Sequence, residues 1–462
     1  MHAANAHAVV AGLGKTGVSC VRHLLERGVR VSATDSRRSP PGLAGLGALA
    51  GRINMRLGGF DVSLLQGASQ LLISPGISLQ EPIAVQARAR GIEILGDIEL
   101  FARAVQTPVV GITGTNGKST VTTLLAQMAA ADGRKVLAGG NLGEPALDLL
   151  RRPAPDLYVL ELSSFQLETT SSLTLLGGVV LNVTADHMDR YASMREYAGA
   201  KARIFAHAAT AVLNIDDPLV AAMRSAGKPT ITYSIERQDA DFTLLVRGAA
   251  RMLAHHGEPW LDVADLKISG LHNVSNALAA LALGETASLS RVAMTATLKS
   301  FRGLPHRSQW VADLDGVRYV NDSKGTNVGA TLAAVAGSAA PVVLIAGGDG
   351  KNQDFSPLAA AFAAKSHRVP CVREVVLLGR DARLIADALA GICPLRFAES
   401  MSEAVRVASV AARPGDTVLL SPACSSLDMF RDYAHRGEVF AAAVAELRGA
   451  TRHGAPFEGA KQ

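Results

Sequence analysis

A glycine-rich loop that contains a lysine, a serine and a threonine is the strongest chemical signal in this sequence. It reads Gly111-Ile-Thr-Gly-Thr-Asn-Gly-Lys-Ser-Thr120 and lies between a valine-rich run, which predicts a strand, and a Leu/Ala-rich run, which predicts a helix. Backbone N–H groups of such a loop bind phosphate oxygens, while Lys118 can reach the β- and γ-phosphates and Ser119 can hold Mg²⁺. The strict pattern has glycine at position 112, where this chain has Ile112, so the loop is a variant. We interpret it as a triphosphate-binding loop made of Gly114, Thr115, Asn116, Gly117, Lys118, Ser119 and Thr120.

A glutamate, Glu161, lies near the end of the apolar run 157–162. Ligands of open α/β sheets bind at the carboxyl ends of the strands. A carboxylate at that place can hold a metal ion together with Ser119 and the phosphates. The alternative is a glutamate that caps a helix or faces solvent, and the position at the end of an apolar strand favours the metal.

A histidine and a lysine follow in a more polar stretch. His187 lies in Asp186-His-Met-Asp-Arg190, after the apolar run 178–183, and Lys201 lies in the predicted helix 195–208. Taken alone, such a histidine is more often an ordinary loop residue, and a lone helical lysine usually faces solvent. Spacing alone therefore assigns no function to either residue.

A second glycine loop, Gly12-Leu-Gly-Lys-Thr-Gly17, follows the first apolar run, and Asp35 ends the next predicted strand. This is the dinucleotide fingerprint in its usual context of strand, loop and helix. A tight turn without a ligand is the alternative, because three glycines make a short pattern. We expect a bound ligand here, and the loop around Lys118 disfavours a nicotinamide cofactor because it indicates another nucleotide.

Polar loops follow three apolar runs in the last third of the chain. They are Asn321-Asp-Ser-Lys-Gly-Thr-Asn327, Gly347-Gly-Asp-Gly-Lys351 and Ser421-Pro-Ala-Cys-Ser-Ser-Leu-Asp428. Turn chemistry explains any one of them, but three such loops at equivalent strand ends indicate one shared binding edge. A further polar segment, Leu304-Pro-His-Arg307, would be an ordinary linker without this context.

Short apolar runs alternate with Ala/Leu-rich helical stretches and thereby indicate the fold class. The pattern predicts an α/β protein of three domains, each with a doubly wound, largely parallel sheet. We expect boundaries near 96–107 and 303–305, which gives a Rossmann-like domain 1–96, a central P-loop ATPase domain 97–303 and a Rossmann-like domain 304–462. The predicted strands are 9–11, 29–33 and 71–73, then 109–113, 157–162, 178–183 and 211–214, and finally 318–321, 342–346, 374–378 and 417–420.

Composition excludes several classes of protein. A chain of 462 residues with 48% hydrophobic and 19% charged residues can form packed cores and is unlike a disordered chain. A net charge of +5, scattered basic residues and 4% aromatics argue against a nucleic-acid partner. No signal peptide or membrane-length apolar run is evident, which predicts a soluble cytoplasmic protein without a membrane partner. Neither disulfide nor metal-site spacing occurs among Cys20, Cys371, Cys393 and Cys424.

In their order along the chain, these motifs resemble those of the Mur ligases, the ATP-dependent amino-acid ligases of peptidoglycan precursor synthesis. The loop at 114–120 is shared by all Mur ligases and by folylpolyglutamate synthases. The run Ser163-Ser-Phe-Gln-Leu, the element Asp322-Ser-Lys and the loop 421–428 resemble those of the members that add D-glutamate to UDP-N-acetylmuramoyl-L-alanine. The resemblance extends from Gly12 to about Tyr433. It implies a domain for the sugar nucleotide, a central ATPase and a C-terminal domain that helps to bind the amino acid.

The resemblance also implies roles for individual positions. Lys118, Glu161, His187 and Lys201 would be catalytic, with Ser119 and Glu161 on one Mg²⁺ and with His187 and a carbamylated Lys201 on a second. ATP would also contact Asn276, Arg307 and Asp322. The residues around the sugar nucleotide would be Lys15, Thr16, Asp35, Ser36, Arg37, Ser74, Gly76 and Asn141. Those around D-glutamate would be Lys324, Thr326, Lys351, Ser426 and Tyr433.

The implied reaction activates a carboxylate, which is by itself a poor electrophile. ATP phosphorylates the terminal carboxylate of the sugar nucleotide, the amine of D-glutamate attacks the acyl phosphate, and phosphate leaves. Lys118 and two Mg²⁺ would neutralise the charge that builds up between the anions, and Lys324 and Lys351 would pair with the carboxylates of D-glutamate. Closure of the C-terminal domain would exclude water. We expect the chain to act as a monomer.

Three alternatives to this reaction remain. Another Mur ligase or a folylpolyglutamate synthase would attach a different amino acid. A dinucleotide-dependent oxidoreductase would use the loop 12–17 and would leave Lys118 and Ser119 without a function. A non-catalytic sensor on the same scaffold would have no need for Lys118, Glu161, His187 and Lys201 together.

Overall fold

The computed structural model describes residues 6–248, 250–268, 270–338, 340–364 and 372–452. These residues form two compact units. The first unit takes its residues from Met1–Val183, Arg195–Asp265 and Ser275–Ser300. The second takes them from Thr184–Met194, Leu266–Val274 and Phe301–Gln462. Cys371 lies outside the described residues.

A parallel five-stranded sheet forms the amino-terminal part of the first unit. Its elements are β1 (His7–Ala11), α1 (Lys15–Glu26), β2 (Arg30–Asp35), α2 (Leu43–Leu46), β3 (Asn54–Leu57), β4 (Gln70–Ile73), α3 (Pro82–Ala89), β5 (Glu93–Leu95) and, after the sheet, α4 (Asp97–Ala104). The strand order is β3-β2-β1-β4-β5. Val10 in the buried central strand is aligned with Ala33 of β2 and with Leu72 of β4. Because the order reverses at β1, the loops after β1 and β4 diverge and leave a crevice at the carboxyl end of the sheet.

A nine-stranded sheet forms the rest of the first unit. Its elements, with the helices around them, are β6 (Val109–Thr113), α5 (Lys118–Ala131), β7 (Val136–Gly140), α6 (Ala146–Leu149), β8 (Leu157–Glu161), α7 (Ser164–Glu168), β9 (Leu175–Val180), α8 (Met194–Ala202), β10 (Ala208–Asn214), α9 (Pro218–Ala221), β11 (Thr230–Ser234), β12 (Phe242–Arg247), β13 (Ala250–His255), β14 (Glu258–Asp262), α10 (Leu271–Thr286) and α11 (Arg291–Ser300). The order is β14-β13-β12-β11-β10-β9-β6-β8-β7. Strands β6 to β12 are parallel, whereas β12, β13 and β14 pair antiparallel.

A six-stranded sheet forms the second unit. Its elements are β15 (Gln309–Leu314), β16 (Val317–Asn321), α12 (Val328–Ala336), β17 (Val342–Gly347), α13 (Ser356–Ala363), β18 (Val372–Leu378), α14 (Ala382–Ala388), β19 (Leu395–Phe397), α15 (Met401–Ala411), β20 (Thr417–Leu420) and α16 (Tyr433–Arg452). The order is β15-β16-β20-β17-β18-β19, and only the β15–β16 pair among these strands is antiparallel. One face packs on α15 and α16 and the other on α12, α13 and α14. The prediction of three largely parallel α/β sheets is therefore confirmed.

Two predicted element boundaries are wrong. The strand predicted at 178–183 lies at Leu175–Val180. Beyond it, Asn182 accepts from the N–H groups of Thr115 and Asn116 in the glycine loop instead of continuing the strand. The helix predicted at 195–208 ends at Ala202, and a short 3-10 turn, Arg203–Phe205, follows it. Beyond this turn, the ammonium of Lys228 donates to the carbonyl oxygens of Phe205 and Ala208.

No helix within the described ranges is long and apolar enough to cross a membrane. Helix α4 occupies the segment in which we expected the first domain boundary. It packs against α1, α6 and α7, so it connects elements of both sheets of the first unit.

Candidate active site

The glycine loop between β6 and α5 has the backbone shape that its sequence predicts. Gly114 and Gly117 have φ values of +151° and +85°, which L side chains rarely adopt. A Cβ atom at Gly117 would lie 2.3 Å from Oδ1 of Asn276, so α10 approaches the loop closely at this point. The loop is also fixed by Asn182, whose Oδ1 accepts from the N–H of Asn116 at 2.8 Å. The structure thus brings Asn276 together with the predicted phosphate loop.

Lys118, the first residue of α5, folds back over this loop. Its ammonium donates to the carbonyl oxygens of Gly114 and Thr115 at 2.8 and 2.9 Å. The contacts hold the positive charge among the N–H groups at the start of α5, where an anion is favoured. Lys118 therefore has the position that the phosphate-binding hypothesis requires.

Oxygen atoms that could ligate a metal ion lie beside the loop. Oγ of Ser119 donates to Oε2 of Glu161 at 2.6 Å, and Nδ2 of Asn141 donates to Oε1 of the same carboxylate at 2.6 Å. Glu161 is only 3% exposed, so it is not a surface residue, and the residues that cap the neighbouring helices α5 and α7 are Gly117 and Ser163. The hydroxyl and the carboxylate are the hard oxygen ligands that Mg²⁺ prefers.

Lys201 on α8 is buried in the first unit, with 1% of its surface exposed. Its ammonium donates to the carbonyl oxygen of Gly114 at 2.9 Å and lies 4.2 Å from the ring centroid of Tyr197. A lysine on a solvated helix face, the ordinary alternative, is therefore excluded. Within the described residues, no group of three or more His, Cys, Asp or Glu side chains could hold a metal ion by itself.

The crevice of the first sheet opens into a cavity of about 710 Å³. All of the residues predicted to contact the sugar nucleotide line it, namely Lys15, Thr16, Asp35, Ser36, Arg37, Ser74, Gly76 and Asn141. Sequence reasoning missed several further lining residues, namely Phe60, Pro75, Ile77, Gly140, Gly143, Pro145 and Gln166. The capping-box spacing of Ser163 and Gln166 at the start of α7 was a signal that could have drawn attention to Gln166.

Asp35 organises one wall of this cavity. Its carboxylate accepts from the N–H of Leu13 at 2.7 Å and from the Arg37 guanidinium through both oxygens at 2.8 Å. Burial disfavours the charge of Asp35, but the hydrogen bonds from Arg37 and Leu13 outweigh it and hold its pKa below the usual value. The wall therefore carries a fixed ion pair that can present donors to a ligand.

In the second unit, Asp322 lies at the carboxyl end of β16 and is buried. Its oxygens accept from the N–H of Ser308 at 2.9 Å and from Oγ of Ser421 at 2.8 Å. Burial raises the pKa of Asp322 to about 6, although these hydrogen bonds and the charge of Arg307 act in the opposite direction. The predicted residues Arg307 and Asp322 are thus close in this unit.

Two residues predicted for the amino acid lie side by side next to Asp322. The ammonium of Lys324 lies 3.8 Å from the ring centroid of Tyr433, a cation–π contact. The buried Arg436, which sequence reasoning missed, donates to Oγ and the carbonyl oxygen of Ser323 at 3.0 and 2.8 Å and to the carbonyl oxygen of Cys424 at 3.1 Å. Arg436 thereby ties the loop of Lys324 to the loop that contains Ser426, and Ser426 itself is 3% exposed. Thr326 lies in the first of these loops, and its N–H donates to the carbonyl oxygen of Lys324 at 2.8 Å.

Lys351 forms an ion pair that the sequence did not predict. Its ammonium lies 2.6 Å from Oδ1 of Asp186, and Nδ2 of Asn327 donates to Oδ2 of that carboxylate at 3.3 Å. His187 belongs to the same unit, has a left-handed backbone with φ of +56°, and its Nε2 lies 3.8 Å from Oδ2 of Asp186. Asp186 therefore connects the predicted metal ligand His187 with Lys351.

Three family models match the chain in succession. The MurD-like N-terminal domain of Mur ligases matches residues 6–96, the Mur ligase middle domain matches 112–284, and the glutamate ligase domain of Mur ligases matches 306–424.

Solved structures with the same fold include a pseudomurein peptide ligase type C from Methanothermus fervidus. It has a TM-score of 0.62 and 20% identity and covers 96% of this chain and 100% of that one. The UDP-N-acetylmuramate-alanine ligase of Thermotoga maritima has a TM-score of 0.60 and 19% identity and covers 96% of this chain and 99% of that one. These likenesses concern the fold.

Curated relatives are much closer in sequence. The UDP-N-acetylmuramoylalanine--D-glutamate ligase of Nitrosococcus oceani is 51% identical over 96% of this chain and 97% of its own length. The enzyme of the same name from Marinobacter nauticus is 49% identical over 95% of this chain and 98% of its own length. From this identity over nearly the full length, and from the three successive domain matches, we conclude that the chain belongs to the Mur ligase family.

Proposed function

We propose that this chain is an ATP-dependent ligase that adds D-glutamate to UDP-N-acetylmuramoyl-L-alanine in cytoplasmic peptidoglycan precursor synthesis. The observation that carries the proposal is the identity of about half of the residues, over nearly the whole chain, to relatives named for this reaction. The phosphate loop with Lys118 and the Ser119–Glu161 pair supplies the chemistry that ATP requires. The domains 1–96, 97–303 and 304–462 would bind the sugar nucleotide, ATP and the amino acid respectively.

Lys118 has the central role in phosphoryl transfer. ATP and the substrate carboxylate are both anions, so the transfer needs positive charge between them. The ammonium of Lys118 lies against the loop carbonyls and can move toward the β- and γ-phosphates without leaving the loop. Backbone N–H groups of residues 114–120 would contact the phosphates, and Asn276, Arg307 and Asp322 would contact the rest of the nucleotide.

The donor set fits the metal ions that the family implies. Ser119 and Glu161 offer two oxygens 2.6 Å apart, which suits one Mg²⁺. An ammonium cannot ligate a metal, so Lys201 would join His187 at a second Mg²⁺ only as a carbamate, whose oxygens are anionic. The metal ions supply charge neutralisation at the phosphates, and the chain supplies the ligands and their orientation.

Binding of D-glutamate is assigned to the loops of the second unit. Lys324 and Tyr433 lie together, and Ser426 is on the adjacent loop that Arg436 fixes. Lys351 would have to exchange Asp186 for a substrate carboxylate, or else it acts through that ion pair. Thr326 and Ser426 would contribute hydroxyl groups to the amino acid.

The test is an amino-acid screen for phosphate release by the full-length protein. Purified protein is given ATP, Mg²⁺ and UDP-N-acetylmuramoyl-L-alanine with each amino acid in turn, and phosphate is measured. We expect release with D-glutamate and not with L-alanine, meso-diaminopimelate or L-glutamate. Lys118→Ala should lower turnover by about a hundredfold or more, because it removes charge from the transferring phosphoryl group.

The exposed Lys135, which follows α5 in the same domain, is the matched control. Lys135→Ala should leave turnover unchanged. Release that requires another amino acid, or no ATP consumption with D-glutamate and the sugar nucleotide present, would contradict the proposal. Fluorescence titration with NADH tests the oxidoreductase alternative, which would leave the loop around Lys118 without a function.

A further inference from the structure

Asp97, the first residue of α4, is a buried carboxylate that the reaction described above does not use. It is 1% exposed, and its Oδ2 accepts from Nε2 of Gln166 at 3.0 Å. Its other oxygen, Oδ1, has no hydrogen-bond partner among the described residues. Burial of a carboxylate is costly, and the hydrogen bond from Gln166 offsets part of that cost.

Gln166 lines the 710 Å³ cavity of the first unit, and its amide is held from both sides. The N–H of Ser163 donates to its Oε1 at 3.0 Å, and Oγ of Ser163 accepts from its backbone N–H at 3.2 Å. A backbone N–H can only donate, so the amide oxygen must point toward Ser163 and the amide nitrogen toward Asp97. Among the described residues, Nε2 donates to Asp97, which leaves its second N–H for another acceptor.

The start of α4 is pressed against α7, the helix that contains Gln166. A Cβ atom at Gly96 would lie 2.4 Å from Oγ1 of Thr169, so the two helices have almost no freedom at this point. The contact between Asp97 and Gln166 is thus set by packed helices rather than by a surface loop. A donor held by such elements can select among ligand orientations.

We propose that Asp97 is a positioning residue of the sugar-nucleotide site, which fixes the amide of Gln166 so that its remaining N–H donates to a ligand oxygen in the cavity. The ligand class is a sugar nucleotide, whose amide carbonyl, carboxylate and phosphate oxygens can all accept. Asp97 itself touches the ligand nowhere and acts through Gln166. This inference rests on the function proposed above.

Glu99, two residues later on the same helix, provides a matched control. It is also buried, and it accepts from the N–H groups of Ser171 and Ser172 at 2.7 and 3.0 Å, just beyond the other end of α7. The described residues that line the cavity include Gln166 but not Glu99, Ser171 or Ser172. Both carboxylates thus connect α4 to the segment 166–172, and of the two, within the described residues, Asp97 is the one with a hydrogen bond to a residue that lines the cavity.

The experiment measures steady-state kinetics of the full chain with UDP-N-acetylmuramoyl-L-alanine, ATP and D-glutamate. Asp97→Ala should raise KM for the sugar nucleotide about tenfold, the size of one hydrogen bond to a charged group, with kcat and KM for ATP within about twofold. Asp97→Asn, which can still accept from Nε2, should return KM to within about threefold of the parent value. Glu99→Ala should lower the thermal midpoint and leave KM for the sugar nucleotide unchanged.

A double-mutant cycle separates action through Gln166 from a general structural effect. In a Gln166→Ala background, Asp97→Ala should add nothing further to KM for the sugar nucleotide. Should Asp97→Ala not accumulate as folded protein, Asp97→Leu fills the space, lacks the acceptor and carries the same expectation. The proposal is overturned by an unchanged KM in these variants, by an equal rise in Glu99→Ala, or by additive effects in the cycle. A parent protein without turnover would instead contradict the proposed function, so the two failures are distinguishable.

Discussion

At the scale of single residues, the position of the buried Lys201 beside the phosphate loop leads to a prediction about the charge of its side chain. Lys201 and Lys118 both donate to the carbonyl oxygen of Gly114, so two ammonium groups share one acceptor. A second cation is hard to reconcile with a metal-binding role. A carbamate is instead an anion, and it forms when the ammonium loses a proton and the neutral amine then adds CO₂ and loses a second proton. The two lysines should therefore differ in what restores activity after their removal.

We expect Lys201→Ala to lower turnover by about a hundredfold or more and added formate or acetate to restore part of it, since a small carboxylate can replace the carbamate. Lys118→Ala should not respond to carboxylates, because it lacks a cation. Phosphate release at increasing carboxylate concentration measures both. Equal rescue of the two variants, or no rescue of Lys201→Ala, would contradict a carbamate at Lys201.

At the scale of elements, Asp322 joins the end of β16 to Ser421 after β20 and to Ser308 before β15. Burial raises its pKa to about 6 in the folded chain, above the value of about 3.9 that an unfolded chain gives. The folded state therefore binds more protons between these values, and this group makes stability fall as pH rises from about 4 to about 6.

Asp322→Asn removes that titration while retaining an acceptor for Ser308 and a donor for Ser421. As the pH rises from 4.5 to 7.5, the stability of the variant relative to that of the parent should increase by on the order of 2 kcal/mol, because most of the shifted titration falls in this range. Urea unfolding without nucleotide at both pH values measures it. Asp313→Asn, an exposed carboxylate in β15, is the control and should show little change. A difference that is the same at both pH values would rule out the shifted titration.

Elements whose determinants are local were predictable from sequence, and those fixed by distant partners were not. Strand β6 and the loop before α5 were predicted at their observed positions because β-branched residues and glycines act locally. The antiparallel strands β12 to β14 were missed, since they extend the parallel sheet by pairing along its edge rather than by a strand–helix repeat. Beyond the end of α8, the carbonyl oxygens of Phe205 and Ala208 accept from Lys228, which is 20 residues or more away along the chain.

The same distinction applies to the candidate site. The residues around the cavity of the first unit come from short motifs at strand ends, and all of those predicted do line it. The ion pair of Lys351 with Asp186 joins positions 165 residues apart, and Arg436 contacts Ser323 over 113 residues. No spacing rule links such pairs, because only the folded chain brings them together.

At the scale of the whole molecule, the proposed nucleotide contacts are distributed over both compact units. Asn276 belongs to the first unit, whereas Arg307 and Asp322 belong to the second. A ligand that contacts both sets binds most tightly to conformations in which both can reach it, so it shifts the population toward them. The same shift would help to exclude water from an acyl phosphate. We therefore expect small-angle X-ray scattering to show a smaller radius of gyration with a non-hydrolysable ATP analogue and UDP-N-acetylmuramoyl-L-alanine than with no ligand. We expect Lys118→Ala to weaken phosphate binding and therefore to need more nucleotide for the same change, and we expect D-glutamate alone to cause none. A radius of gyration that stays constant at saturating ligand would show that the reaction excludes water by local loops instead.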